Sequence, residues 1–583
     1  MTAILGINAY HADAAACLLI DGQLVGAVAE ERLGARQKHS SAFPVNAIRW
    51  LLDDNGLTLS DITHLAIPRN TSANRGAKIA HVLKHPVTGL ASAWTHFSRS
   101  KDTASMIDKL AAICDVDPSQ AKFETVAVEH HLAHIASSYY CSPFDGLTAG
   151  FSYDASGDFA SAMATRCEGT KIDILDRVTL PDSLGFFYTA MCQFIGFDRF
   201  GEEYKVMGLA PYGEDNYRDE MEKLLLLPTN KWFTLNQDYF GMHKGGKSGV
   251  VDADNNLIMG QLFHSRMADI FGSPAKRGML GQREKDIARS TQIRFEEAAL
   301  HCLHRLHSLV PSEQLVMAGG CALNGVANAR ILRETPFATP YLQAAASDDG
   351  TCLGAAYWVW HNTLGQKERF HMKHSSWGPQ YSDHELRKAI EATGFEVKSC
   401  RDNDELVNTT ADLIANGYVT GWYQGRSEWG PRALGNRSIL ANPGRVDMKD
   451  IINAKIKRRE SFRPFAPSVL KDDVATYFEQ NIISPFMMHV VKIKSEWRDR
   501  LPAVTHIDGT GRLQSVDVES NPLYFDLITA FKKRTGIGMV LNTSFNENEP
   551  IVDKPEQAVA CFMRTDMDAL VMGRYIVKKP YIG

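Results

Sequence analysis

The sequence predicts a protein of the α/β and α+β classes, with a duplicated first part and a separate C-terminal part. Its 583 residues exceed what one hydrophobic core usually serves. The strand–turn–strand pattern of the opening residues recurs near residue 146, and a polar stretch at residues 364–386 interrupts the periodic segments. We therefore expect a first lobe at 1–145, a second lobe at 146–365 and a C-terminal domain at 375–583.

The opening residues predict a β-meander followed by a helix. "AILGIN" has the composition of a buried strand, and two further apolar runs are joined by Asp21-Gly22, a strong hairpin signal. Residues 45–56 predict a helix with Ile48, Leu51 and Leu52 on one face. The apolar runs "ITHLAI" and "FETVAV" predict two more strands.

Residues 146–178 repeat this beginning. They predict a strand, a Gly/Asp/Ser turn, a second strand, a Gly turn and a third strand, which favours two related lobes facing a cleft. Helices are expected at Gln292–Leu309 and Ala355–Trp360. In the last part we expect a helix at Asp404–Ala415, a strand in "YVTGWYQG", a strand in "GIGMVLNTSFNENEPIV" and a helix in "DKPEQAVACFMR".

Composition excludes several classes of protein. The net charge of -5 and the pI near 6.5 disfavour a general binder of nucleic acids or anionic membranes. The ten cysteines are scattered and form no CxxC pair, which is typical of reduced thiols and not of a zinc ribbon. The start of the sequence has no basic leader, and no apolar run approaches the ~18 residues of a membrane span. We therefore predict a cytoplasmic protein.

Two histidines in "EHHLAHIASSYY" have the spacing of metal ligands. His130 and His134 are four residues apart, so a helix would place both on one face, where each imidazole could offer one nitrogen. Asp154 and Asp348 each follow an apolar strand in a Gly-containing turn, where a carboxylate can face a cleft. The alternative is that these histidines are structural. The pair lacks the glutamate that a zinc protease of this type places after the first histidine.

Residues 241–248, "GMHKGGKS", match the phosphate-binding P-loop pattern letter for letter. That loop requires a buried strand before it and a helix after it, whose N-terminal amides hold phosphate. Here "NQDYF" is only weakly strand-like, and "GVVDADNNLI" predicts a strand and a turn. We interpret the segment as a flexible surface loop.

The segment 424–470 contains the densest array of basic residues. Guanidinium groups fixed on Gly- and Pro-containing turns are suited to bidentate capture of phosphate oxygens. A nucleic-acid groove is the rival interpretation, which the acidic overall charge disfavours. The basic residues include Arg426, Arg432, Arg437, Lys455, Lys457, Arg458, Arg459 and Arg463.

Motifs along the whole chain resemble those of the NodU/CmcH-type O-carbamoyltransferases. They are "GINAYH", "AEERL…RQKH", "EHHLAHIASSYY", "YDASGD", "EEYKVMGLAPYG", "GGCALNG", "SDDGTCLGAA", "GRSEWGPRALGNRSIL", "IKRRESFRPFAPSV" and "LNTSFNENEPIV". The "HADAAA" after Tyr10 departs from the family's His-Asp, which puts a role for Asp13 in doubt. The resemblance implies duplicated actin-like (ASKHA) N-terminal lobes, as in the threonylcarbamoyl-transfer family, followed by a YrdC-like C-terminal domain.

The resemblance also implies the activity. Such enzymes form carbamoyl-adenylate from carbamoyl phosphate and ATP, with Mg²⁺ expected on the ATP phosphates. They then transfer the carbamoyl group to a hydroxyl of a small molecule such as a sugar, an antibiotic or another secondary metabolite. A homodimer is a further implication of the family, whereas nucleic-acid and membrane partners are not expected.

The resemblance also implies the site residues, because positions in the family's motifs match positions in this sequence. The metal positions, usually an iron site, match His130, His134, Asp154 and Asp348, although such ligands also suit Mn²⁺, Zn²⁺ or Co²⁺. The positions that hold carbamoyl phosphate or the adenylate match Arg432, Lys457, Arg463 and Ser544, with Asn542 a weaker candidate. The nucleotide-contacting loop matches Gly319, Gly320 and Asn324. We expect Lys457 and Arg463 to act in catalysis, and His11 either to be a general base or to cap the turn after the first strand.

Three other functions each agree with part of the sequence. A tRNA threonylcarbamoylation enzyme would use the same two folds but needs a basic surface of tRNA size, which the low pI disfavours. A non-catalytic ASKHA-type nucleotide-binding protein would have no use for the basic segment. Hydrogenase-maturation carbamoyltransferases carry zinc-binding cysteine pairs that are absent from this sequence.

Overall fold

The computed structural model describes residues 1–84, 106–114, 117, 122–241, 250–251, 257–460 and 462–580. The chain divides into two compact units. The first comprises Met1–Gly34 and His39–Met372, and the second comprises Ala35–Lys38 and Lys373–Gly583. The short segment Ala35–Lys38 thus belongs to the second unit although it lies near the start of the sequence.

The first lobe is built on a five-stranded mixed sheet of described residues. Its order is β3-β2-β1-β4-β5, where the hairpin strands pair antiparallel and β1, β4 and β5 run parallel. Ile48, Leu51 and Leu52 are buried in its core, as the helical periodicity predicts. The strands are β1 (Ala3–Asn8), β2 (Ala15–Ile20), β3 (Gln23–Ala29), β4 (His64–Ile67) and β5 (Glu124–Ala127).

The second lobe repeats this topology. Its described sheet has the order β8-β7-β6-β13-β14, with the three consecutive strands antiparallel and β6, β13 and β14 parallel. The order and the strand directions match those of the first sheet, so the predicted duplication is confirmed. The strands are β6 (Thr148–Gly157), β7 (Ala160–Glu168), β8 (Lys171–Thr179), β13 (Gln314–Ala318) and β14 (Thr339–Leu342).

Four short strands form two hairpins in this lobe: β9 (Leu225–Leu226) with β10 (Thr234–Leu235), and β11 (Val250–Val251) with β12 (Leu257–Ile258). The helices of the first unit are Glu30–Leu33, Val45–Asp54, Arg75–Lys84, His130–Tyr139, Leu184–Phe194, Glu203–Leu209, Arg218–Leu224, Met267–Phe271, Gln282–Leu309, Gly325–Glu334 and Thr351–Trp358.

One helix begins earlier than predicted. The helix expected from Gln292 starts at Gln282, and the backbone N–H of Gly281 donates to the Glu284 carboxylate at 2.8 Å. The first turns of the helix contain many charged residues, so the sequence shows no apolar periodicity there. Of the P-loop-like segment only Gly241 is described, so its interpretation as a surface loop lies outside the described residues.

The second unit is an α+β fold on a nine-stranded mixed sheet, the class predicted for the C-terminal part. Its order is β15-β23-β22-β16-β17-β21-β18-β20-β19 among the described residues. The strands are β15 (Val397–Ser399), β16 (Thr420–Tyr423), β17 (Arg437–Ala441), β18 (Ala466–Leu470), β19 (His489–Lys492), β20 (Thr510–Val516), β21 (Met539–Ser544), β22 (Ala569–Met572) and β23 (Tyr575–Lys578). The helices are Asp383–Glu391, Asn403–Ala415, Met448–Ile451, Val474–Tyr477, Ser495–Arg498, Pro522–Thr535 and Pro555–Arg564.

Within the described part of the chain, none of the helices combines the length and the hydropathy needed to cross a lipid bilayer.

Candidate metal centre and anion site

The helix His130–Tyr139 is buried along its whole length and carries both predicted histidine ligands. Two residues separate the end of β5 from the start of this helix. Asp158 fixes the first turn of the helix, because Asp158 Oδ2 accepts from the backbone N–H of His130 at 3.0 Å. The same oxygen accepts from the backbone N–H of Asn70 at 2.7 Å. Asp158 therefore ties the histidine helix to the turn between β6 and β7.

The two aspartates come from the second sheet. Asp154 lies in β6, and Asp348 follows β14 after a short turn. Because β6, β13 and β14 are parallel neighbours, their carboxyl ends meet at one edge of the sheet. This edge therefore gathers Asp154, the Gly319-Gly320 turn after β13, and Asp348.

The four predicted ligands form one cluster, and one ligand atom from each lies within 4.8 Å of the others. The Nε2 atoms of His130 and His134 are 3.1 Å apart. His134 Nε2 lies 3.1 Å from Asp154 Oδ2 and 3.4 Å from Asp348 Oδ1, which is also 3.3 Å from His130 Nε2. Two nitrogens and two carboxylate oxygens thus converge on one point.

These donors fit a divalent cation. Asp154 Oδ2 and Asp348 Oδ1 are buried and have no hydrogen-bond partner among the described residues. Buried carboxylate oxygens without partners are costly, and a cation at the convergence point would give all four atoms a ligand bond. Two imidazoles and two carboxylates form a donor set that first-row transition metals accept.

The carboxylates and imidazoles of the cluster shift each other's pKa values. Burial lowers the pKa of His134, but Asp154 and Asp348 raise it by more, to about 9. Burial alone would raise the pKa of Asp348, whereas His11 and His130 hold it well below its usual range. The cluster therefore favours positive charge at its centre.

His131, between the two candidate ligands in sequence, has a different role. Its Nδ1 lies 3.0 Å from the Ser152 hydroxyl, and burial lowers its pKa well below the usual value. It is a neutral core histidine, which distinguishes it from its two neighbours.

His11 joins the cluster from the turn after β1. Its Nδ1 contacts Asp348 Oδ2, and its ring centroid is 4.9 Å from that of His130. Burial lowers the pKa of His11, but Asp348 raises it by more, so it lies above the usual value. Asp13 accepts instead from the Ser347 hydroxyl at 2.9 Å and lies 2.8 Å from His39 Nδ1.

The predicted nucleotide loop lies beside the metal cluster. Gly319 has φ +98°, and a Cβ there would be 2.2 Å from the Tyr153 carbonyl, so only glycine fits. A Cβ on Gly320 would lie 3.0 Å from Asp154 Oδ1. The Asn324 side chain accepts from the Ala327 backbone N–H and exchanges two hydrogen bonds with Gln292, all at 3.1 Å. It therefore caps the helix that follows the loop.

In the second unit, three neighbouring strands present a polar network on one face of the sheet. Asn542 of β21 donates to Ser468 of β18 at 2.9 Å and to Gln514 of β20 at 3.1 Å. The same Asn542 amide donates to the Ala433 carbonyl at 3.1 Å, and Gln514 donates to the Leu434 carbonyl at 2.8 Å. Asn542 thus anchors the loop that carries Arg432.

Glu428 also binds the backbone of this loop. Its Oε1 accepts from the backbone N–H groups of Leu434, Asn436 and Arg437 at 2.8, 2.8 and 3.1 Å. Arg432 therefore sits on a loop whose backbone is bound to the sheet and to a buried carboxylate.

Arg432 and Arg512 are both half-buried, and their positive charges repel each other. Burial lowers the pKa of Arg432 well below its usual range and repulsion from Arg512 lowers it further, while burial lowers the pKa of Arg512 to about 10. Sequence reasoning missed Arg512. Its signal was an arginine inside a strand, two residues from Gln514 and so on the same face of β20.

Lys457 is buried among oxygen atoms. Its Nζ donates to the Ser544 carbonyl at 2.6 Å and hydroxyl at 3.2 Å, and to the Asn546 carbonyl at 2.8 Å and side chain at 2.6 Å. Burial lowers its pKa well below the usual value, and Arg459, Lys38 and Arg463 lower it further. Ser544 and Asn542 lie two residues apart on β21 and so share its face.

Arg437 differs from the other arginines of the basic segment. It is fully buried, lies 3.7 Å from the Tyr423 ring centroid, and donates to the carbonyls of Gln424 and Gly425 at 2.7 and 3.0 Å. Its guanidinium therefore supports the backbone of the loop through these two carbonyl groups.

Comparisons with known proteins cover both units. Residues 3–357 match the family model described as "Carbamoyltransferase N-terminus", and residues 411–579 match "Carbamoyltransferase C-terminus". The chain is 37% identical to an uncharacterized protein of Synechocystis over 99% of this chain and 97% of that one. It is 38% identical to the nodulation protein NolNO of Sinorhizobium fredii, over 98% and 80%.

Among solved structures, the crystal structure of HypF from T. kodakarensis aligns with 64% of this chain and 49% of its own. The sequence identity is 13% and the TM-score is 0.30.

Proposed function

Because this chain belongs to the carbamoyltransferase family, we propose that it is an ATP-dependent O-carbamoyltransferase acting on a hydroxyl of a small molecule. Carbamoyl phosphate would be the carbamoyl donor and carbamoyl-adenylate the intermediate. The acceptor would come from natural-product or sugar metabolism, as the family resemblance implies; two of the relatives are named nodulation proteins.

One observation carries the proposal: Lys457 and Arg432 of the second unit have buried nitrogen atoms with no carboxylate among their described hydrogen-bond partners. The four oxygen atoms around Lys457 Nζ all belong to neutral groups, and Arg432 Nε has no hydrogen-bond partner among the described residues. Burying a charge without a counter-charge is costly. A polyanionic ligand would compensate both groups, and carbamoyl phosphate and ATP are such ligands.

The adenylation would proceed in two successive reactions. Water cleaves the phosphate from carbamoyl phosphate, which leaves carbamate and inorganic phosphate. A carbamate oxygen then attacks the α-phosphorus of ATP, and the bond to the β-phosphate oxygen breaks, which releases pyrophosphate. Lys457, Arg463 and Arg432 would offset the charge of the two anions and stabilise the charge that develops at phosphorus. Ser544 and Asn542 would orient the bound phosphate and the Arg432 loop.

In the transfer step, the acceptor oxygen attacks the carbamoyl carbon and the bond to the AMP oxygen breaks. We propose that His130, His134, Asp154 and Asp348 hold a divalent metal, and we assign iron on the family resemblance. Such a cation would supply Lewis acidity at the reacting groups. His11 contacts Asp348 through Nδ1, so Nε2 is the nitrogen that could accept the proton of the acceptor hydroxyl.

The remaining assignments are also proposals. Gly319, Gly320 and Asn324 would flank the nucleotide, and Mg²⁺ would accompany ATP. The lobes at 1–145 and 146–365 would carry the transfer, and the domain at 375–583 would carry the adenylation. A homodimer, a cytoplasmic location and the absence of nucleic-acid partners stay predictions from the sequence.

The proposal is tested by the exchange of radiolabelled pyrophosphate into ATP. We expect exchange that depends on carbamoyl phosphate, with a decrease of at least about 100-fold in Arg432→Ala, since the substitution removes a cation facing the phosphates. Lys388→Ala, at an exposed position on the helix Asp383–Glu391, serves as the control. Exchange that is absent from the wild-type protein, or that proceeds without carbamoyl phosphate, would refute the adenylation.

A further inference from the structure

The segment Ala35–Lys38 belongs to the second unit, although the strands and helix before it and the chain after it belong to the first. Arg36 in this segment has φ +59°, which is uncommon for a residue other than glycine. Such a backbone conformation persists where surrounding contacts determine it. The hydrogen bonds of the Arg36 guanidinium account for this backbone conformation.

The Arg36 guanidinium binds one end of a loop in the second unit. Nη2 donates to the Pro550 carbonyl at 2.6 Å, and Nη1 donates to the Ile551 carbonyl at 3.0 Å and to Gln557 Oε1 at 2.9 Å. Gln557 Oε1 also accepts from the backbone N–H of Asp553 at 2.8 Å. Arg36 therefore links the end of the loop to the start of the helix Pro555–Arg564.

The other end of this loop holds Lys457. We call residues 544–552 the Lys457 loop, because Ser544 and Asn546 supply the four oxygen atoms around Lys457 Nζ. The Asn546 amide donates to the Glu549 carbonyl at 2.6 Å, and the Val552 backbone N–H donates to the Phe545 carbonyl at 2.9 Å. The loop is thus closed on itself, and a shift at Pro550 and Ile551 would be passed to Asn546.

We propose that Arg36 is a positioning residue for the adenylation reaction: it fixes the Lys457 loop and thereby places the Lys457 ammonium. The inference rests on the proposed function and extends it, because it makes a segment from the start of the chain part of the adenylation machinery. Arg36 acts through the loop and needs no contact with the substrates.

Arginine is suited to this position for a geometric reason. Its planar guanidinium reaches two successive carbonyl groups and the Gln557 side chain at the same time, whereas a lysine ammonium is a single point charge on a flexible stem. Arg36→Lys should therefore retain some of the hydrogen bonds to the Lys457 loop and Gln557, and Arg36→Ala should retain none of them. Displacement of a catalytic group by about 1 Å can cost about 100-fold in rate.

The test uses the full chain with Arg36→Ala, Arg36→Lys and the control Arg401→Ala. Arg401 is 85% exposed and pairs with Glu405 on the surface of the same unit. We expect Arg36→Ala to lower the kcat/KM of carbamoyl-phosphate-dependent pyrophosphate exchange by about 10- to 100-fold, Arg36→Lys to lie between it and the wild type, and Arg401→Ala to match the wild type.

Hydrogen–deuterium exchange of the same proteins separates positioning from general destabilisation. We expect faster exchange at the Val552 amide in Arg36→Ala, with unchanged protection of the central strands β17 and β21 and an unchanged Tm. Wild-type protection at Val552 in Arg36→Ala, or a wild-type exchange rate between pyrophosphate and ATP, overturns the proposal. Lack of pyrophosphate exchange in the wild type would instead refute the proposed function, and the amide exchange would still decide whether Arg36 fixes the loop.

Discussion

At the scale of single residues, three histidines of the same helix differ in function because their side chains contact different groups. His130, His131 and His134 share one helix and are all buried. His131 binds the Ser152 hydroxyl, whereas Nε2 of the other two converges on the aspartates. The spacing of four residues indicated the pair, and the sheet edge behind it determined which histidines face the carboxylates.

His134→Asn and His131→Asn make the same chemical change at neighbouring positions. We expect purified His134→Asn to contain less metal than the wild type, because it removes one of the four proposed ligands, while His131→Asn keeps wild-type metal content. The His131 substitution should instead cost about 1–3 kcal/mol of folding free energy, since it disturbs a buried hydrogen bond. Metal analysis of the purified proteins checks the first statement and denaturant unfolding the second. Equal loss of metal in both variants would contradict the assignment.

At the scale of elements, the metal cluster depends on how closely the end of β6 approaches the histidine helix. A Cβ at Gly157 would lie 2.0 Å from Cδ2 of His130, which is far below any allowed contact. The absence of a side chain at Gly157 therefore lets the His130 ring lie against the strand. Glycine at this position is a requirement of the site as well as of the turn.

Gly157→Ala should displace the His130 ring. We expect a lower metal content and a destabilisation of about 1–3 kcal/mol, the usual cost of an overpacked core. Gly146→Ala is the matched control, because a Cβ there meets no atom within 4 Å. It should change the free energy of unfolding by no more than about 0.5 kcal/mol. Metal content of Gly157→Ala equal to that of Gly146→Ala would show that the ring is not constrained in this way.

At the scale of the whole molecule, two chemically different sites lie in two compact units. The first gathers imidazoles and carboxylates, which favour a cation, and the second gathers buried cations, which favour an anion. One site is suited to bind a metal cation and the other to bind phosphate groups. The proposed reaction, which forms a reactive intermediate and then transfers it, would use both sites.

Metal removal should therefore separate the two half-reactions. Enzyme depleted of transition metal by a chelator and returned to Mg²⁺ should keep carbamoyl-phosphate-dependent pyrophosphate exchange but lose carbamoyl transfer to the acceptor. Lys457→Ala should lose both activities, because transfer consumes the product of the first step. Carbamoyl transfer is followed by the mass gained by the acceptor. Transfer at the wild-type rate in metal-depleted enzyme would rule out the proposed role of the metal.

The sequence by itself determined the fold class, the duplication of the first part, the histidine pair and the basic segment, because periodicity and short motifs report local conformation. Only the tertiary structure decided which groups meet. Arg512 lowers the pKa of Arg432, Arg36 binds carbonyls more than 500 residues away, and Asn324 caps a helix. Such contacts depend on strand order and on chain crossings between distant segments, and the local pattern of a sequence does not encode either one.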